Sequence, residues 1–148
     1  MFGKINLMIN KWHQLLKMPK FDQAWHDNDL ADELNEYNEE TRLLKKWSEL
    51  SDVVYTCTRG RWSGHEIAFP FTWWHFMLGT IYMIPKYSGR WLFFRSAGKK
   101  AGATTDIREV RNPKKTYKLH TIAKKYNLDP KTFQAICERQ LRYWILLP

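Results

Sequence analysis

Two pairs of acidic residues have the spacing that places both members of a pair on one face of an α-helix. Glu33 and Glu36 form the first pair, and Glu49 and Asp52 form the second, within LADELNEYNEETRLLKKWSELSD. Two such helices packed antiparallel would direct all four carboxylates into one volume. Carboxylate oxygens are preferred ligands of Mg²⁺, which usually also contacts substrate phosphates. The pattern therefore indicates a magnesium site for phosphate chemistry.

This site requires a chain reversal between the two pairs. Apolar residues recur with helical spacing on both sides of Thr41, which offers a break and a cap. The first stripe is Leu30, Leu34 and Tyr37, and the second is Leu43, Trp47, Leu50, Val54 and Cys57. In one straight helix the acidic pairs would lie roughly 20–25 Å apart at 1.5 Å per residue. We therefore predict that the chain reverses between Glu40 and Leu44.

The remaining pattern predicts an all-α protein, a helical bundle. A first helix is expected over residues 5–17, and the second begins at a cap on Asp27 or Asn28. The third helix is expected to end near residue 58, before a loop over 59–70. An aromatic helix then runs to about Ile84, where Pro85 stops it. A short helix over 87–97 and a basic GKKAGATT loop follow, and the strand signal of RWLFF is weak.

The composition favours one folded domain. The chain has 148 residues, of which 44% are hydrophobic and 16% aromatic, enough to bury a core. Its two cysteines, Cys57 and Cys137, provide neither a disulfide framework nor zinc-ligand spacing, which indicates a reducing, cytoplasmic setting. The start shows no secretory signal. The uncharged run from Ile67 to Ile84 contains Pro70 and bulky aromatics, so we predict a core helix and no membrane span.

Charge divides the predicted domain 1–148 into an acidic helical part, about 1–84, and a basic helical part, about 85–148. The first part has nine Lys/Arg against eleven Asp/Glu, a net charge of −2. The second has fifteen against four, a net charge of +11. Such asymmetry predicts that the basic part meets a polyanion, either the phosphates of a nucleotide or a nucleic acid backbone.

The basic part ends in a predicted helical hairpin that resembles a DNA-binding helix-turn-helix. Ala123 takes the position of the small residue, Asn127 lies in the turn, and Asp129 with Pro130 marks the start of the second helix near Lys131. The apolar positions are Ile122, Tyr126, Leu128, Phe133 and Ile136. The predicted nucleic-acid contacts are Lys124 and Lys125 at phosphates and Lys131, Thr132, Gln134 and Ala135 near base edges. Any short helical hairpin with a packed interior has this spacing, so that alternative stays open.

The acidic pattern also resembles a known family. The sequence contains E-x-x-E, then a short spacer, then E-x-x-D and an apolar run. This order resembles the motif of the MazG-like all-α nucleoside triphosphate pyrophosphohydrolases, the superfamily that includes dimeric dUTPases. The match comprises Glu33-Leu-Asn-Glu36, Glu49-Leu-Ser-Asp52 and Val53-Val54-Tyr55, within about residues 25–58. The chain departs from the family in two respects: it lacks a glycine in the turn between the helices, and its second half does not resemble a family member.

The resemblance implies a function and a set of site residues. Glu33, Glu36, Glu49 and Asp52 would hold Mg²⁺ over the phosphates, with Glu36 as general base. A nucleoside triphosphate would be cleaved to pyrophosphate and a monophosphate. Substrate-binding candidates are Arg111, Asn112 and Lys115, and Trp25, Trp47 or Trp62 could stack on a base. The resemblance also implies a homodimer, and the hypothesis includes a cytoplasmic location and a phage origin.

Three other readings of the sequence remain open. The acidic residues are also typical of a solvated helix face. A non-enzymatic nucleic-acid-binding protein would use the basic helical hairpin. An interaction protein would dock a partner on the aromatic middle segment.

Overall fold

The protein is described by a computed structural model that covers residues 2–144. All regular elements in that range are helices: α1 (Phe2–Leu15), α2 (Gln23–Glu39), α3 (Leu43–Trp62), α4 (Trp73–Lys100), α5 (Thr116–Lys125) and α6 (Pro130–Leu141). The predicted all-α fold is therefore confirmed. Contacts group the chain into two compact units, Met1–Ile84 and Pro85–Pro148. This boundary coincides with the change from acidic to basic composition, and the prediction of a single domain stays a prediction.

Helix α2 begins earlier than the sequence pattern indicates. Asp22 is its N-cap, and the Asp22 carboxylate accepts a 2.8 Å hydrogen bond from the backbone N–H of Trp25. The predicted start at Asp27 or Asn28 was wrong, because both residues lie inside the helix. The Asp22 carboxylate, five residues upstream of Asp27, already satisfies a free N–H of the first turn. The earlier start adds about one and a half turns to α2, and this added part carries Trp25 and His26.

The chain reverses between α2 and α3, as predicted. Residues 40–42 are the only ones between the two helices. The Glu40 carboxylate accepts hydrogen bonds from the backbone N–H, Nε and Nη2 of Arg42 at 2.8, 2.9 and 2.9 Å. This local pairing holds the pKa of Glu40 at about 2, chiefly through the side-chain hydrogen bond with Arg42. Helices α2 and α3 pack against each other beyond the turn.

Buried apolar residues hold the first unit together around α3. Val53 and Cys57 pack with Ile67 from the loop after α3. The partly buried residues around them are Leu30, Leu34, Tyr37, Phe69 and Phe71. Helix α1 also packs against α3. The third helix passes residue 58 because Gly60 is helical and Ile67 occupies the space that a Cβ at position 60 would need. The loop predicted over 59–70 therefore begins only after Trp62.

Helix α4 does not stop at Pro85, and that prediction was wrong. The helix runs from Trp73 to Lys100 with Pro85 inside it, so the short helix predicted over 87–97 is its second half. A proline inside a helix removes one hydrogen bond and costs about 3 kcal/mol. Phe76 and Met83 before Pro85, and Phe93 and Phe94 after it, are buried. We attribute the continuation of the helix to this burial, which exceeds the local penalty.

The second unit has its own core, formed by α4, α5, α6 and the segment between α4 and α5. The buried residues are Phe93, Phe94, Ala97, Ile107, Leu119, Ile122, Ala123, Phe133 and Cys137. The predicted start of the last helix is confirmed: Asp129 caps α6 and accepts a 2.8 Å hydrogen bond from the N–H of Thr132, with Pro130 at the first helical position. Over residues 2–144, no helix has the length and hydropathy that crossing a membrane requires.

Candidate metal centre

The reversal brings three of the four predicted metal ligands together. One carboxylate oxygen from each of Glu33, Glu36 and Glu49 lies within 4.8 Å of the other two. Glu33 and Glu49 are half-buried, whereas Glu36 is exposed. The cluster therefore sits at the edge of the α2–α3 contact, where solvent and a ligand reach it from the side of Glu36.

Asp52 belongs to the same electrostatic cluster. The pKa of Glu33 is raised to about 8, first by burial and then by the negative charges of Asp52, Glu36, Asp29 and Glu49. Asp52 exerts the largest of these charge effects. At neutral pH the Glu33 carboxyl is therefore mostly protonated when no cation is bound. A bound cation would reverse this balance, because it favours the ionised carboxylates.

The donor set consists of carboxylates alone. In an octahedral Mg²⁺ site with metal–oxygen distances of about 2.1 Å, opposite oxygens lie about 4.2 Å apart. Neighbouring oxygens in such a site lie about 3.0 Å apart. The three glutamate oxygens are separated by at most 4.8 Å, so shifts of about 1 Å in each side chain would bring them to octahedral positions. An all-carboxylate set suits a hard cation such as Mg²⁺ and does not suit a soft one. Glu33, Glu36, Glu49 and Asp52 are the residues that would hold it.

The four carboxylates form one end of a longer arrangement that we call the polar ladder. It consists of Trp25, Asp29, Glu33 and Glu36 on α2 and of Glu49, Asp52, Thr56 and Arg59 on α3. Consecutive members of the ladder on each helix are three or four residues apart. The members of α2 lie opposite those of α3 in reverse order, as expected for the facing sides of two antiparallel helices. Thr56 Oγ1 donates a 2.8 Å hydrogen bond to Asp29 Oδ2, one step from Glu33. The ladder therefore joins the metal cluster to Arg59.

Arg59 ends the polar ladder inside a group of aromatic rings. Its guanidinium carbon lies 4.9 Å from the ring centroid of Phe21, 4.8 Å from that of Trp25 and 6.0 Å from that of Tyr55. The rings of Phe21 and Trp25 stack on each other at 4.2 Å. Arg59 Nε is buried and has no hydrogen-bond partner within residues 2–144. The sequence reading missed Arg59 because it ended α3 at residue 58.

Two buried histidines feel the charge of Arg59. His13 and His26 are fully buried, and each uses Nε2 for one hydrogen bond, to Thr58 Oγ1 at 3.1 Å and to Ser63 Oγ at 2.8 Å. Burial, followed by the charge of Arg59, lowers the pKa of His13 to about 3. The same two causes, in the same order, lower the pKa of His26. Arg59 therefore carries the positive charge of this cluster.

The three tryptophans considered for base stacking occupy different surroundings. Trp47 Nε1 donates to the Leu78 carbonyl at 2.7 Å, and Trp62 Nε1 donates to the Met18 carbonyl at 3.2 Å. These bonds tie Trp47 and Trp62 into the first unit. Trp25 remains 36% exposed and is the one that belongs to the polar ladder. Of the three, Trp25 is therefore the best placed for a ligand.

The predicted substrate-binding residues Arg111, Asn112 and Lys115 lie together just before α5. Arg111 Nε approaches Glu109 Oε2 at 3.7 Å, and Asn112 Oδ1 accepts a 3.0 Å hydrogen bond from the N–H of Lys114. Lys115 is the exposed N-cap residue of α5. All three belong to the second unit, whose turn before α5 they help to shape.

The predicted nucleic-acid contacts divide into free and internally bonded side chains. Lys124, Lys131, Thr132 and Ala135 are exposed. Lys125 Nζ bonds Glu109 Oε1 at 2.7 Å. Gln134 Oε1 bonds His120 Nε2 at 2.6 Å, and Gln134 Nε2 donates to Glu138 Oε1 at 2.8 Å. Thr132 Oγ1 donates a 2.7 Å hydrogen bond to Asp129 Oδ2. Lys125, Thr132 and Gln134 therefore have intramolecular partners, whereas Lys124, Lys131 and Ala135 are exposed.

The turn of the hairpin has the geometry that its sequence suggests. Asn127 adopts a left-handed conformation with φ 54°, which asparagine tolerates better than most residues. Ala123, at the position expected for a small side chain, is fully buried, as is Phe133. Helices α5 and α6 pack against each other, and Lys131, Ala135, Arg139 and Arg142 lie on the outer side of α6.

Comparison with known proteins adds no family to this geometry. No protein-family model matches the chain, and neither the curated proteins nor the solved structures contain one that is significantly similar to it. Function must therefore be argued from the residues themselves.

Proposed function

We propose that the protein is a Mg²⁺-dependent nucleoside triphosphate pyrophosphohydrolase. One observation carries the proposal: oxygens of Glu33, Glu36 and Glu49 gather within 4.8 Å across the antiparallel pair of α2 and α3. Asp52 adds a fourth carboxylate beside Glu33. The motif similarity to MazG-like enzymes points to the same four residues. Four carboxylates around one volume repel each other, and a divalent cation relieves that repulsion.

Each acidic residue has a defined part in the proposed reaction. Glu33, Glu36, Glu49 and Asp52 would hold the cation against the phosphate chain. When bound, Mg²⁺ would neutralise phosphate charge and lower the pKa of a coordinated water. The site is exposed at Glu36, so the substrate and a water molecule can enter there.

The reaction is a hydrolysis of a phosphoanhydride bond. Water forms a new bond to the α-phosphorus, and the bond from that phosphorus to the bridging oxygen breaks. Glu36 accepts the proton of the attacking water as general base. The products are pyrophosphate and a nucleoside monophosphate. Glu36 is suited to this step because it is the exposed member of the cluster.

The rest of the proposal concerns partners and setting. Arg111, Asn112 and Lys115 are the proposed additional contacts to the nucleotide, since they supply two cations and an amide at one turn. The proposal includes a homodimer, which follows from the similarity to MazG-like enzymes. It also includes a cytoplasmic location, which follows from the two free cysteines, and a phage source.

The test is pyrophosphate release from a panel of ribo- and deoxyribonucleoside triphosphates with Mg²⁺. We expect release from at least one nucleotide, and Glu36→Gln and Asp52→Asn should each reduce kcat at least 100-fold. Glu39→Gln is the matched control, since Glu39 is an exposed acid of α2 outside the cluster. If the wild-type protein releases no pyrophosphate from any nucleotide, the proposal fails.

A second candidate function is binding of duplex DNA by the α5–α6 hairpin. The observation that favours it is the outer face of α6, where Lys131, Arg139 and Arg142 surround the small residue Ala135 and all four are exposed. A small residue between cations lets a helix approach the major groove closely while the cations reach phosphates. The net charge of +11 over residues 85–148 adds long-range attraction.

Fluorescence anisotropy with a labelled DNA duplex at several salt concentrations tests this candidate. Replacing Lys124, Lys131 and Arg139 together by Gln should weaken binding and lower the slope of log K against log salt by about 2–3, since each phosphate contact contributes about 0.9. Replacing Lys4, Lys11 and Lys45 of the first unit removes the same charge and should leave the slope unchanged. Equal slopes for both triple variants would contradict binding through α6.

A further inference from the structure

At the aromatic end of the polar ladder, formed by Trp25 and Arg59, a cation lies next to partly exposed rings. Arg59 lies beside Phe21 and Trp25, which are 37% and 36% exposed. No carboxylate forms an ion pair with Arg59 among the residues that the structure describes. A guanidinium with buried Nε and no anionic partner favours an external anion, because the charge is only partly solvated there. The first candidate for that anion is a phosphate.

Arg59 lies on the same face of α3 as Thr56 and Asp52, because these residues are three or four positions apart. Its guanidinium lies among the rings of Phe21, Trp25 and Tyr55. The Cα positions of Arg59 and Asp52, seven residues apart, are separated by about 10 Å along the helix. A long arginine side chain and an extended triphosphate can cover this separation together. A monophosphate at the metal cluster would not reach Arg59.

The three aromatic rings hold the guanidinium in place without satisfying its N–H groups. Cation–π contacts fix the position of an arginine while its N–H donors remain available for a bidentate contact to phosphate. Thr58 supports this side of α3, because its hydroxyl donates to the Tyr55 carbonyl at 3.0 Å and accepts from His13 Nε2. Arg59 is therefore presented as a positioned cation, with neutral histidines next to it.

We propose that Arg59 binds the terminal phosphate of the substrate, so that the leaving pyrophosphate lies at the aromatic end of the polar ladder. This inference rests on the proposed function, and it assigns a direction to the bound nucleotide. The α-phosphate lies at the carboxylates, and the nucleoside extends past Glu36. Arg59 stabilises the charge that the leaving group gains when the phosphoanhydride bond breaks. The site thereby selects triphosphates over monophosphates.

Calorimetric binding of inorganic tripolyphosphate and of orthophosphate, each with Mg²⁺, tests the inference without a base or a reaction. The wild-type protein should bind tripolyphosphate at least tenfold more tightly than orthophosphate. Arg59→Gln should lose most of this preference, and Arg59→Lys should retain part of it, because a lysine supplies charge but no bidentate fork. Arg61→Gln removes the same charge from the opposite side of α3 and should leave the preference within threefold of wild type.

A second measurement uses only the wild-type protein and so does not depend on the folding of a variant. Histidine ring resonances followed by NMR should move for His26 when tripolyphosphate is added, because an anion at Arg59 offsets a charge that acts on that ring. Unchanged His26 resonances at saturating tripolyphosphate, or an unaltered preference in Arg59→Gln, would overturn the inference.

The outcomes separate this inference from the proposed function. If the wild-type protein hydrolyses a nucleotide and Arg59→Gln keeps the same KM and kcat, the inference fails and the enzyme assignment stands. If no nucleotide is hydrolysed but tripolyphosphate binding depends on Arg59, the enzyme assignment fails and the phosphate site stands.

Discussion

The hydroxyl of Thr56 donates a 2.8 Å hydrogen bond to the carboxylate of Asp29, across the contact between α3 and α2. Thr56 is almost fully buried, so this bond is shielded from competing water. It connects the two helices midway between the carboxylates that would bind Mg²⁺ and the aromatic rings around Arg59. The register of the polar ladder therefore depends on it.

Removing this hydroxyl should loosen the helix pair. Thr56→Val keeps the shape of the side chain and leaves Asp29 without its donor, which we expect to cost about 1.5–3 kcal/mol of unfolding free energy for a hydrogen bond to a charged group. Urea unfolding measures the loss. Thr56→Ser retains the donor and is the control. Equal stability of Thr56→Val and wild type would show that the bond does not hold the helices together.

The raised pKa of Glu33 predicts that metal binding releases a proton. Because this pKa is about 8, the Glu33 carboxyl is mostly protonated at pH 7, and Mg²⁺ must displace that proton. Apparent affinity should rise about tenfold per pH unit from pH 6 and level off above pH 8. Calorimetry in buffers of different ionisation enthalpy counts the proton. An affinity that is flat between pH 6 and 9 would contradict this assignment.

The same group should make the metal-free protein less stable in alkali. A carboxyl whose folded pKa is raised stabilises the fold fully below its unfolded value of 4.5 and loses that contribution as pH rises through about 8. Glu33→Gln imitates the protonated form. We expect it to unfold like wild type at pH 5 and to be more stable at pH 9 by roughly 1–3 kcal/mol, from about 1.4 kcal/mol per pKa unit discounted for partial exposure. Thermal unfolding in EDTA checks both values, and Glu39→Gln should show neither change.

His13 should make the protein sensitive to acid. Burial and the charge of Arg59 lower its pKa to about 3, so its contribution to stability is present above the unfolded value of 6.5 and is lost as pH falls toward 3. His13→Phe keeps an aromatic ring among Trp12, Tyr55 and Trp62 but does not titrate. The slope of stability against pH between 6.5 and 4 should decrease by up to about 1.4 kcal/mol per pH unit. A slope of His13→Phe equal to that of wild type would contradict this assignment and leave the acid sensitivity to another group, such as the buried His26.

Two glycines of α4 should respond to alanine in opposite directions. A Cβ at Gly79 would lie 2.5 Å from Val54 Cγ2 and 3.2 Å from the Leu50 carbonyl oxygen, whereas a Cβ at Gly89 meets nothing within 4 Å. Gly79→Ala should destabilise the protein by about 1–3 kcal/mol through overpacking. Gly89→Ala should stabilise it by about 0.5–1 kcal/mol through the loss of unfolded-state freedom. Chemical denaturation of both variants distinguishes packing from helix propensity.

The parts that sequence predicts well are those determined by local chemistry. Asp129 followed by Pro130 identifies the start of α6, because both the cap and the proline act within one turn. The reversal after Glu40 was predicted because Thr41 interrupts two apolar stripes with different faces. In each case the residues in contact are only a few positions apart. A short sequence pattern therefore includes all of them.

The parts that sequence predicts poorly depend on distant contacts. Pro85 lies inside α4 because buried residues on both sides of it support the helix, and a proline signal contains no information on burial. Gly60 does not end α3, since Ile67 fills the space beside it. A sequence pattern does not contain that contact, so it predicts a helix end near residue 58 and does not place Arg59 on the same face as Asp52. The aromatic end of the polar ladder was therefore missed.

The three-residue link between α2 and α3 has a consequence for folding kinetics. All eight residues of the polar ladder come from the 35 consecutive positions from Trp25 to Arg59, so their contacts have low contact order. Closing so short a loop costs little chain entropy. We expect this helical hairpin to form early in folding, and the candidate metal centre then acquires its shape before contacts between more distant parts of the chain form.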